Sequence, residues 1–147
     1  MLEILVVGPE GKMKDLDSVV RTLVRARSIE GEGVEFWRNC LPGWLIESFS
    51  PESSREEKVA WLAVWRKSDP VERLRLSSAK GWELMQWSYW FSHANEDWEL
   101  DSTEWVNDNS ALKILLEGAR EEYPIEAIRW LIEKSGCRVV EVVHGSD

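Results

Sequence analysis

Residues 81–112 bring aromatic mass and negative charge together in one stretch of the chain. Five of the ten tryptophans lie there, and no Lys or Arg occurs between Lys80 and Lys113. The stretch holds seven carboxylates, while the formal net charge of the whole chain is −9. Tryptophan rings are stable when they are buried or in contact with a partner, whereas carboxylates require solvent or a cation. The fold must therefore place a core directly beside an acidic surface.

The length and composition are those of one globular domain. A chain of 147 residues with 44% hydrophobic and 31% charged residues is long enough to bury one core. No stretch approaches the roughly 20 apolar residues that span a membrane. With a sequence pI of about 4.8, the chain repels nucleic acid and anionic membranes. The composition leaves basic proteins and cations as partners.

The cysteines and the N-terminus indicate a reducing compartment. Cys40 and Cys137 are far apart and belong to no recognisable motif, which is typical of buried thiols, with a single disulfide as the alternative. The first eight residues carry Glu3 within an apolar run and have no basic leader, as in a strand rather than a signal peptide. We expect a cytoplasmic protein.

Both ends of the chain predict strands that belong to one sheet. Residues 2–7 form a nearly continuous apolar run, and residues 137–143 are rich in valine, as in buried strands. A helix capped by Asp15 or Asp17 follows the first strand and ends near residue 27. A further strand is predicted over residues 34–38.

The first helix in the middle of the chain has two candidate starting points. Ser50 can serve as N-cap with Pro51 at the first helical position. A capping box that begins at Ser53 or Ser54 is the alternative. The run 59–65 is apolar nearly all round, which predicts a helix central to the core.

Two more helical segments follow. One begins at Asp69-Pro70, which repeats the capping signal, and ends at Lys80-Gly81. Residues 82–91 fit either a strand or a helix, and we favour the helix because Leu, Met, Gln and Glu are good helix formers. The apolar stripe of that helix consists of Leu84, Trp87 and Phe91, and its polar side of Glu83, Gln86 and His93.

A β-hairpin is predicted from residues 98–106 and 111–118. A two-residue loop sets Asp101 against Leu116, which is a poor match. A three-residue loop over 107–109, with Asn109 left-handed, sets Leu100 opposite Leu116 and is favoured. This register turns inward Leu112, Ile114, Leu116, Trp98, Leu100 and Val106, and it turns outward Glu99, Asp101, Thr103 and Trp105.

The C-terminal half is completed by a helix that starts at Pro124 and stops at Gly136, followed by the last strand. Its inward side chains are Ile125, Ile128, Leu131 and Ile132. A sheet with helices on one side is the simplest way to bury these faces. We predict a single domain over residues 1–147 with an α+β sandwich fold, in which helices pack on one side of a mixed or antiparallel sheet.

Signals for catalysis and cofactors are weak. The conceivable dyad of Cys40 and His93 places a thiol near acidic residues, which oppose thiolate formation. The chain contains no nucleophile elbow, zinc-protease helix or zinc-type cysteine pair. The sequence therefore favours a protein that is not an enzyme, and it predicts no cofactor.

The alternating carboxylates Asp97, Glu99 and Asp101 offer the oxygen ligands that hard cations prefer. A flat strand, however, spaces such carboxylates about 7 Å apart, which is too far for one ion without other ligands. The segment also lacks the glycine and the terminal glutamate of a calcium-binding loop. We predict a solvated strand face that discourages edge-to-edge aggregation, and no metal site.

Six of the tryptophans divide into two groups by their sequence neighbours. Those within apolar helical runs are expected in the core: Trp61, Trp65 and Trp130. Those with charged neighbours are Trp82, Trp98 and Trp105, and we expect at least one of them at the surface. Exposed aromatic area with a charged rim is typical of a binding surface.

These observations predict a non-catalytic protein-binding module that contacts a basic partner through the acidic, Trp-rich residues 93–108. The candidate binding residues are His93, Trp98, Glu99, Asp101 and Trp105. One alternative is a sugar-like ligand site or a small enzyme with a Trp-lined cleft. The other is an ordinary core whose acids only keep the domain soluble. The order of a Trp-rich segment, an acidic hairpin and a Pro-started helix is similar to that of some small bacterial proteins, a resemblance that implies no function.

Overall fold

A four-stranded antiparallel sheet forms the centre of the fold. The structure is a computed structural model that describes residues 1–29, 33–93, 95–118 and 125–145. The strands are β1 (Leu2–Val7), β2 (Glu99–Val106), β3 (Ala111–Glu117) and β4 (Arg138–His144). The helices are α1 (Glu10–Ala26), α2 (Val34–Cys40), α3 (Gly43–Ile46), α4 (Arg55–Lys67), α5 (Pro70–Lys80), α6 (Leu84–Tyr89) and α7 (Glu126–Lys134).

The strand order is β2-β3-β1-β4, so that each of two helical connections skips one strand. The first connection leads from β1 through α1 to β2, and the second leads from β3 through α7 to β4. This is the split βαβ arrangement, with α2 to α6 inserted between α1 and β2. The predicted α+β fold with an antiparallel sheet is confirmed, and so is the placement of both terminal strands in that sheet.

Alternating side chains place one face of the sheet in the core. In β1 the core residues are Leu2, Ile4 and Val6, and their partners in β3 are Leu116, Ile114 and Leu112. These residues form one hydrophobic cluster with the buried faces of α1 and α7. Burying a side chain of this size stabilises the fold by about 1.5–3 kcal/mol. The intervening residues of β1 are only half-buried.

Helix α1 begins earlier than the sequence pattern predicts. Neither Asp15 nor Asp17 is its cap; the helix starts after Pro9, whose carbonyl accepts a hydrogen bond of 3.0 Å from the Met13 backbone N–H. The additional turn allows Met13 to extend the apolar face of the helix into the core. Asp17 is therefore an interior residue of α1, and its side chain is available for a tertiary contact.

The predicted strand over residues 34–38 is wrong, because this segment is helix α2. Val34 and Trp37, together with Leu41 directly after the helix, are spaced as on one face of a helix, and Trp37 and Leu41 are buried. A five-residue window does not separate this spacing from that of a strand. The packing of α2 near α6 decides in favour of the helix.

Helix α4 starts at the alternative capping box and not at Ser50. The Ser54 hydroxyl accepts a hydrogen bond from the Glu57 backbone N–H at 3.1 Å, and the Glu57 carboxylate accepts one from the Ser54 N–H at 3.4 Å. The prediction that this helix is central to the core is wrong, since none of its residues is buried. Trp61 and Trp65 are half-buried and stack on each other.

The signals that bound α5 are confirmed. The Asp69 carboxylate accepts a hydrogen bond of 2.8 Å from the Glu72 N–H, and Gly81 ends the helix with a positive φ of 71°. The guanidinium of Arg73 lies 4.3 Å above the Trp65 ring, and its Nε donates to the Trp65 carbonyl at 3.0 Å. These contacts fasten α5 to the end of α4.

The helical interpretation of residues 82–91 is confirmed by α6. Leu84, Trp87 and Phe91 are buried as predicted. The placement of Glu83 on the polar side is wrong, because its side chain is buried and accepts a hydrogen bond of 2.5 Å from the Ser53 N–H. The carboxylate fastens the residues before α4 to the start of α6, which offsets the cost of its burial.

Six aromatic side chains form a continuous cluster between α6, α7 and β2. Their ring centroids lie 4.6 to 6.3 Å apart along the series of contacts. The members of this aromatic cluster are Phe49, Trp87, Trp90, Phe91, Trp98 and Trp130. The Trp87 Nε1 also donates to the Ala127 carbonyl at 3.0 Å. The cluster therefore packs the inserted helices against α7 and the start of β2.

The hairpin forms as predicted, with Leu100 opposite Leu116 and both side chains buried. Its loop differs from the prediction, since Val106 pairs with Ala111 and leaves four residues in the turn. Three of them have a positive φ: Asn107, Asp108 and Asn109. Asn and Asp tolerate this conformation better than other non-glycine residues do.

A bulge between Leu100 and Ser102 compensates for the longer loop. On the turn side of the bulge, Thr103 pairs with Ile114 and Trp105 pairs with Leu112. Residues directly opposite in an antiparallel pair point to the same face. The predicted outward orientation of Thr103 and Trp105 is therefore wrong, and both lie on the core-facing side of β2.

The last helix, α7, buries Ile125, Ile128, Leu131 and Ile132 as predicted. Gly136 has a positive φ of 88° just after the helix, which confirms its role as the stop. The predicted start at Pro124 lies outside the described residues, and the described helix begins at Glu126.

Candidate functional site

At least one of Trp82, Trp98 and Trp105 was expected at the surface, but all three contribute mainly to the core. Trp98 is only 3% exposed. Its ring stacks on Trp90 with centroids 6.3 Å apart and an interplanar angle of 10°. Trp82 and Trp105 are half-buried and pack against the hydrophobic cluster. The aromatic residues of the predicted surface are thus largely buried, and Trp98 packs underneath the acidic residues.

Four carboxylates of this region line a concavity of about 490 Å³. We name it the acidic concavity; its polar lining residues are His93, Asn95, Glu96, Asp97, Glu99 and Glu117, and the small exposed part of Trp98 also contacts it. Three of the five predicted site residues, His93, Trp98 and Glu99, therefore line one concavity. Asp101 and Trp105 are not among its lining residues.

The loop that leads into β2 is held in place by Asn95. The side chain of Asn95 is buried; its Nδ2 donates to the Trp90 carbonyl at 2.8 Å, and its Oδ1 accepts from the Asp97 N–H at 3.0 Å. Both ends of the amide are used, which is typical of a well-ordered turn. The backbone that carries Asp97 is thereby positioned before any partner binds.

Two glutamates face each other across the first pair of the hairpin. Glu99 on β2 lies directly opposite Glu117 on β3, and both are exposed. Like charges at opposed positions destabilise a sheet. Arg27 offsets part of this repulsion, since its guanidinium lies 2.6 Å from the Glu99 carboxylate. Glu117 was absent from the predicted site, although the predicted hairpin register already set it opposite Glu99.

Arg27 also contacts the bulge in β2. Its Nη1 donates to the Leu100 carbonyl at 2.8 Å. Asp101 is exposed at the bulge and accepts a hydrogen bond of 2.7 Å from the Ser102 hydroxyl. The predicted outward orientation of Glu99 and Asp101 is confirmed.

Most carboxylates of this region have no cationic partner. Within the described part of the chain, six of them take part in no salt bridge: Glu96, Asp97, Asp101, Glu104, Asp108 and Glu117. The nearby Lys113 on β3 pairs instead with Glu3, at 3.6 Å. The surface therefore carries a concentrated negative field that is free to attract a cation.

The residues considered for catalysis or metal binding do not form one group. His93 is exposed beside the acidic concavity, whereas the half-buried free thiol Cys40 at the end of α2 is not among the lining residues. Cys137 is a buried free thiol. Among the described residues, no three His, Cys, Asp or Glu side chains are arranged to hold a metal ion.

Two further concavities, each of about 430 Å³, lie elsewhere. One is lined by residues of α1 and β2. The other lies between α4 and α6, where Trp61 and Met85 form apolar walls and Glu83 lines the interior. Each of these three concavities is lined by one tryptophan at most.

No protein-family model matches the chain, and no curated protein or solved structure matches it. No helix in the described ranges is long and apolar enough to cross a membrane. The chemistry of the acidic concavity is therefore the basis for assigning a function.

Proposed function

We propose that this protein is a non-catalytic binding module that holds a basic segment of a partner protein in the acidic concavity. The observation that carries the proposal is the opposed pair Glu99 and Glu117 in the lining of the acidic concavity, which Glu96 and Asp97 also line. Keeping like charges at opposed positions costs stability. A cationic side chain from a partner removes that cost on binding.

The size and chemistry of the concavity favour arginine or lysine side chains. A volume of about 490 Å³ accommodates a few long side chains and not a folded domain. Ionised carboxylates accept short, charge-assisted hydrogen bonds from guanidinium and ammonium groups. The surrounding unpaired acids would raise the association rate of a basic partner and repel nucleic acid.

The aromatic cluster supports binding by making the surface rigid. Trp98 immediately precedes β2, and its stacking on Trp90 anchors the loop that presents Glu96 and Asp97. A surface that is ordered before binding loses less conformational entropy when the partner arrives. The tryptophans thus contribute to affinity through preorganisation, while the carboxylates make the direct contacts.

The test is affinity capture with two variants, each of which replaces three carboxylates by neutral amides, so that the two have the same net charge. The site variant Glu96→Gln/Asp97→Asn/Glu117→Gln removes carboxylates from the acidic concavity. The control variant Asp15→Asn/Glu133→Gln/Glu141→Gln removes the same number of exposed carboxylates from α1, α7 and β4. We expect the wild type and the control to retain the same basic protein, and the site variant to lose it.

Salt provides the second readout. Retention by the wild type should fall as the ionic strength rises, because the contacts are between exposed charges. If the site variant retains the same protein as the control at every salt concentration, the acidic concavity is not the binding site. If the retained protein is acidic or neutral, the proposed partner class is wrong.

A further inference from the structure

Helix α4 carries an exposed apolar stripe that the described part of the chain does not cover. Val59 is 62% exposed and Val64 is 54% exposed, and none of the residues of α4 is buried. Residues three and four positions apart lie on the same side of a helix. The outer stripe defined by this spacing, the α4 stripe, consists of Glu56, Val59, Ala60, Ala63, Val64 and Lys67, all of which are exposed.

The opposite side of α4 is occupied within the chain. Trp61 and Trp65 are half-buried and stack on each other with centroids 6.3 Å apart, and Arg73 of α5 lies over Trp65. Leu62 borders the concavity between α4 and α6. These contacts fix the rotation of α4 about its axis, so that the α4 stripe points away from the rest of the described structure.

The α4 stripe has the same order of side-chain sizes when it is followed from either end. Val59 and Ala60 on one side of the midpoint correspond to Val64 and Ala63 on the other. The two ends differ only in charge, since Glu56 lies in the first turn and Lys67 in the last. An antiparallel copy of the same stripe would therefore align valine with valine, alanine with alanine and glutamate with lysine.

We infer that α4 is the two-fold interface of a homodimer, in which the α4 stripes of two copies pack antiparallel. Ala60 of each copy lies against Ala63 of the other, and Val59 lies against Val64. Small side chains at the crossing point allow two helix axes to approach to about 8 Å. Glu56 of each copy then forms a salt bridge with Lys67 of the other, at both ends of the contact.

Self-complementarity is the reason that the occupant is a second copy. A two-fold contact uses the same patch on both chains, so that each feature must match its own symmetry mate. An unrelated partner places no such requirement on the α4 stripe. The opposite charges of Glu56 and Lys67, at equal distances from the midpoint, meet the requirement. This inference is independent of the proposed function, because no residue of the α4 stripe lines the acidic concavity.

The test is a charge exchange followed by light scattering. We expect the wild type to have about twice the 17.1 kDa mass of one chain. Glu56→Lys sets two positive charges against each other at each end of the contact, and Lys67→Glu sets two negative charges against each other. Either single variant should shift the mass toward that of the monomer, and the double variant Glu56→Lys/Lys67→Glu should restore the dimer.

Controls distinguish loss of the dimer contact from the effects of changed net charge and of a less stable helix. Glu133→Lys and Lys134→Glu on α7 change the net charge by the same amounts at exposed positions, and they should leave the mass unchanged. Any weakening of α4 by Glu56→Lys is also present in the double variant, so restoration of the dimer shows that the single variants act through the charge contact. The double variant must keep the helical circular-dichroism signal of the wild type, so that a failure to restore the dimer counts against the contact and not against the fold. Ala63→Phe should also produce monomers, because a bulky ring prevents the close approach of the helices.

The inference is overturned by a wild type that stays at 17.1 kDa over a roughly hundredfold range of protein concentration, since mass action would reveal a dimer. It is also overturned if the double variant remains as monomeric as the single variants. Binding of a monomeric wild type to anionic vesicles would assign the α4 stripe to a membrane surface instead.

Discussion

The Thr103 hydroxyl donates a hydrogen bond of 2.5 Å to Asp17 Oδ1 and thereby joins β2 to α1. Asp17 also accepts a hydrogen bond of 3.1 Å from Arg21 Nε one turn later in the helix. The carboxylate is buried and exchanges water for these two partners. This contact positions β2, and with it the acidic concavity, relative to the helical layer.

Replacing Thr103 with Val should lower the free energy of unfolding by about 1–3 kcal/mol, because the buried Asp17 carboxylate loses a donor while the shape of the side chain is kept. Chemical denaturation measures the change. The matched control is Ser102→Ala, whose hydroxyl makes an exposed contact with Asp101 and should matter by less than about 0.5 kcal/mol. Equal effects of the two changes would contradict the role of the Thr103–Asp17 hydrogen bond.

Replacing Arg27 with Met should destabilise the hairpin by about 1–3 kcal/mol, since the Leu100 carbonyl at the bulge and the Glu99 carboxylate both lose a donor. Part of this loss of stability comes from the repulsion between Glu99 and Glu117, and dissolved salt screens that repulsion. Added salt should therefore narrow the difference from the wild type in denaturation experiments. The control is Arg25→Met, at an exposed position in the last turn of α1, which directly precedes Arg27. A loss of stability that salt leaves unchanged would exclude the electrostatic contribution.

Replacing Gly8 with Ala should lower stability by about 1–3 kcal/mol through overpacking. A Cβ at this position would lie 2.9 Å from Cys137 Sγ and 3.1 Å from its Cα. Gly11 is the matched control, because a Cβ there meets nothing within 4 Å and the residue lies inside α1. Gly11→Ala should stabilise by about 0.5–1 kcal/mol. Thermal melting of both variants distinguishes the two sites, and a stabilising Gly8→Ala would show that β1 and β4 separate easily.

Replacing Trp87 with Phe should cost about 2–4 kcal/mol, because the change leaves a cavity and removes the donor to the Ala127 carbonyl. The loss should appear equally in the far-ultraviolet signal of the whole chain and in the fluorescence of the aromatic cluster, since both belong to one core. Trp61→Phe, a half-buried change on α4, should cost less. Two separate transitions would show that the inserted helices unfold independently of the sheet.

The sequence correctly predicted those helix ends and strands that depend only on neighbouring residues. The Asp69 cap, the stop at Gly136 and the terminal strands all depend on residues within a few positions of one another. The Ser54 cap was only the alternative to a start at Ser50. The helix at 82–91 was also identified correctly, since the apolar stripe of Leu84, Trp87 and Phe91 is spaced for a helix. Helix α2 was missed because seven residues are too few to separate the two periods.

The acidic concavity could be predicted in part. The exposure of Glu99 and Asp101 followed from matching the apolar faces of the hairpin, and the same register contained the opposition of Glu99 and Glu117. The burial of Trp98 did not follow, because its sequence neighbours are charged while its spatial neighbours are Trp90 and Phe91. Arg27 lies more than seventy positions from Leu100 along the chain, and no local pattern indicates that contact.

The sequence by itself determined the composition of the fold: strands at both ends, an acidic hairpin, capped helices and enough apolar residues for one core. These properties depend on the chemical identity of the residues and on short-range periodicity, and both can be read directly from the sequence. Only the tertiary structure decided the orientations. The bulge next to Leu100 turns Thr103 and Trp105 inward, and the stacking of Trp61 on Trp65 leaves the α4 stripe exposed. Such orientations depend on contacts between distant segments, whose energies compete only once the chain is folded.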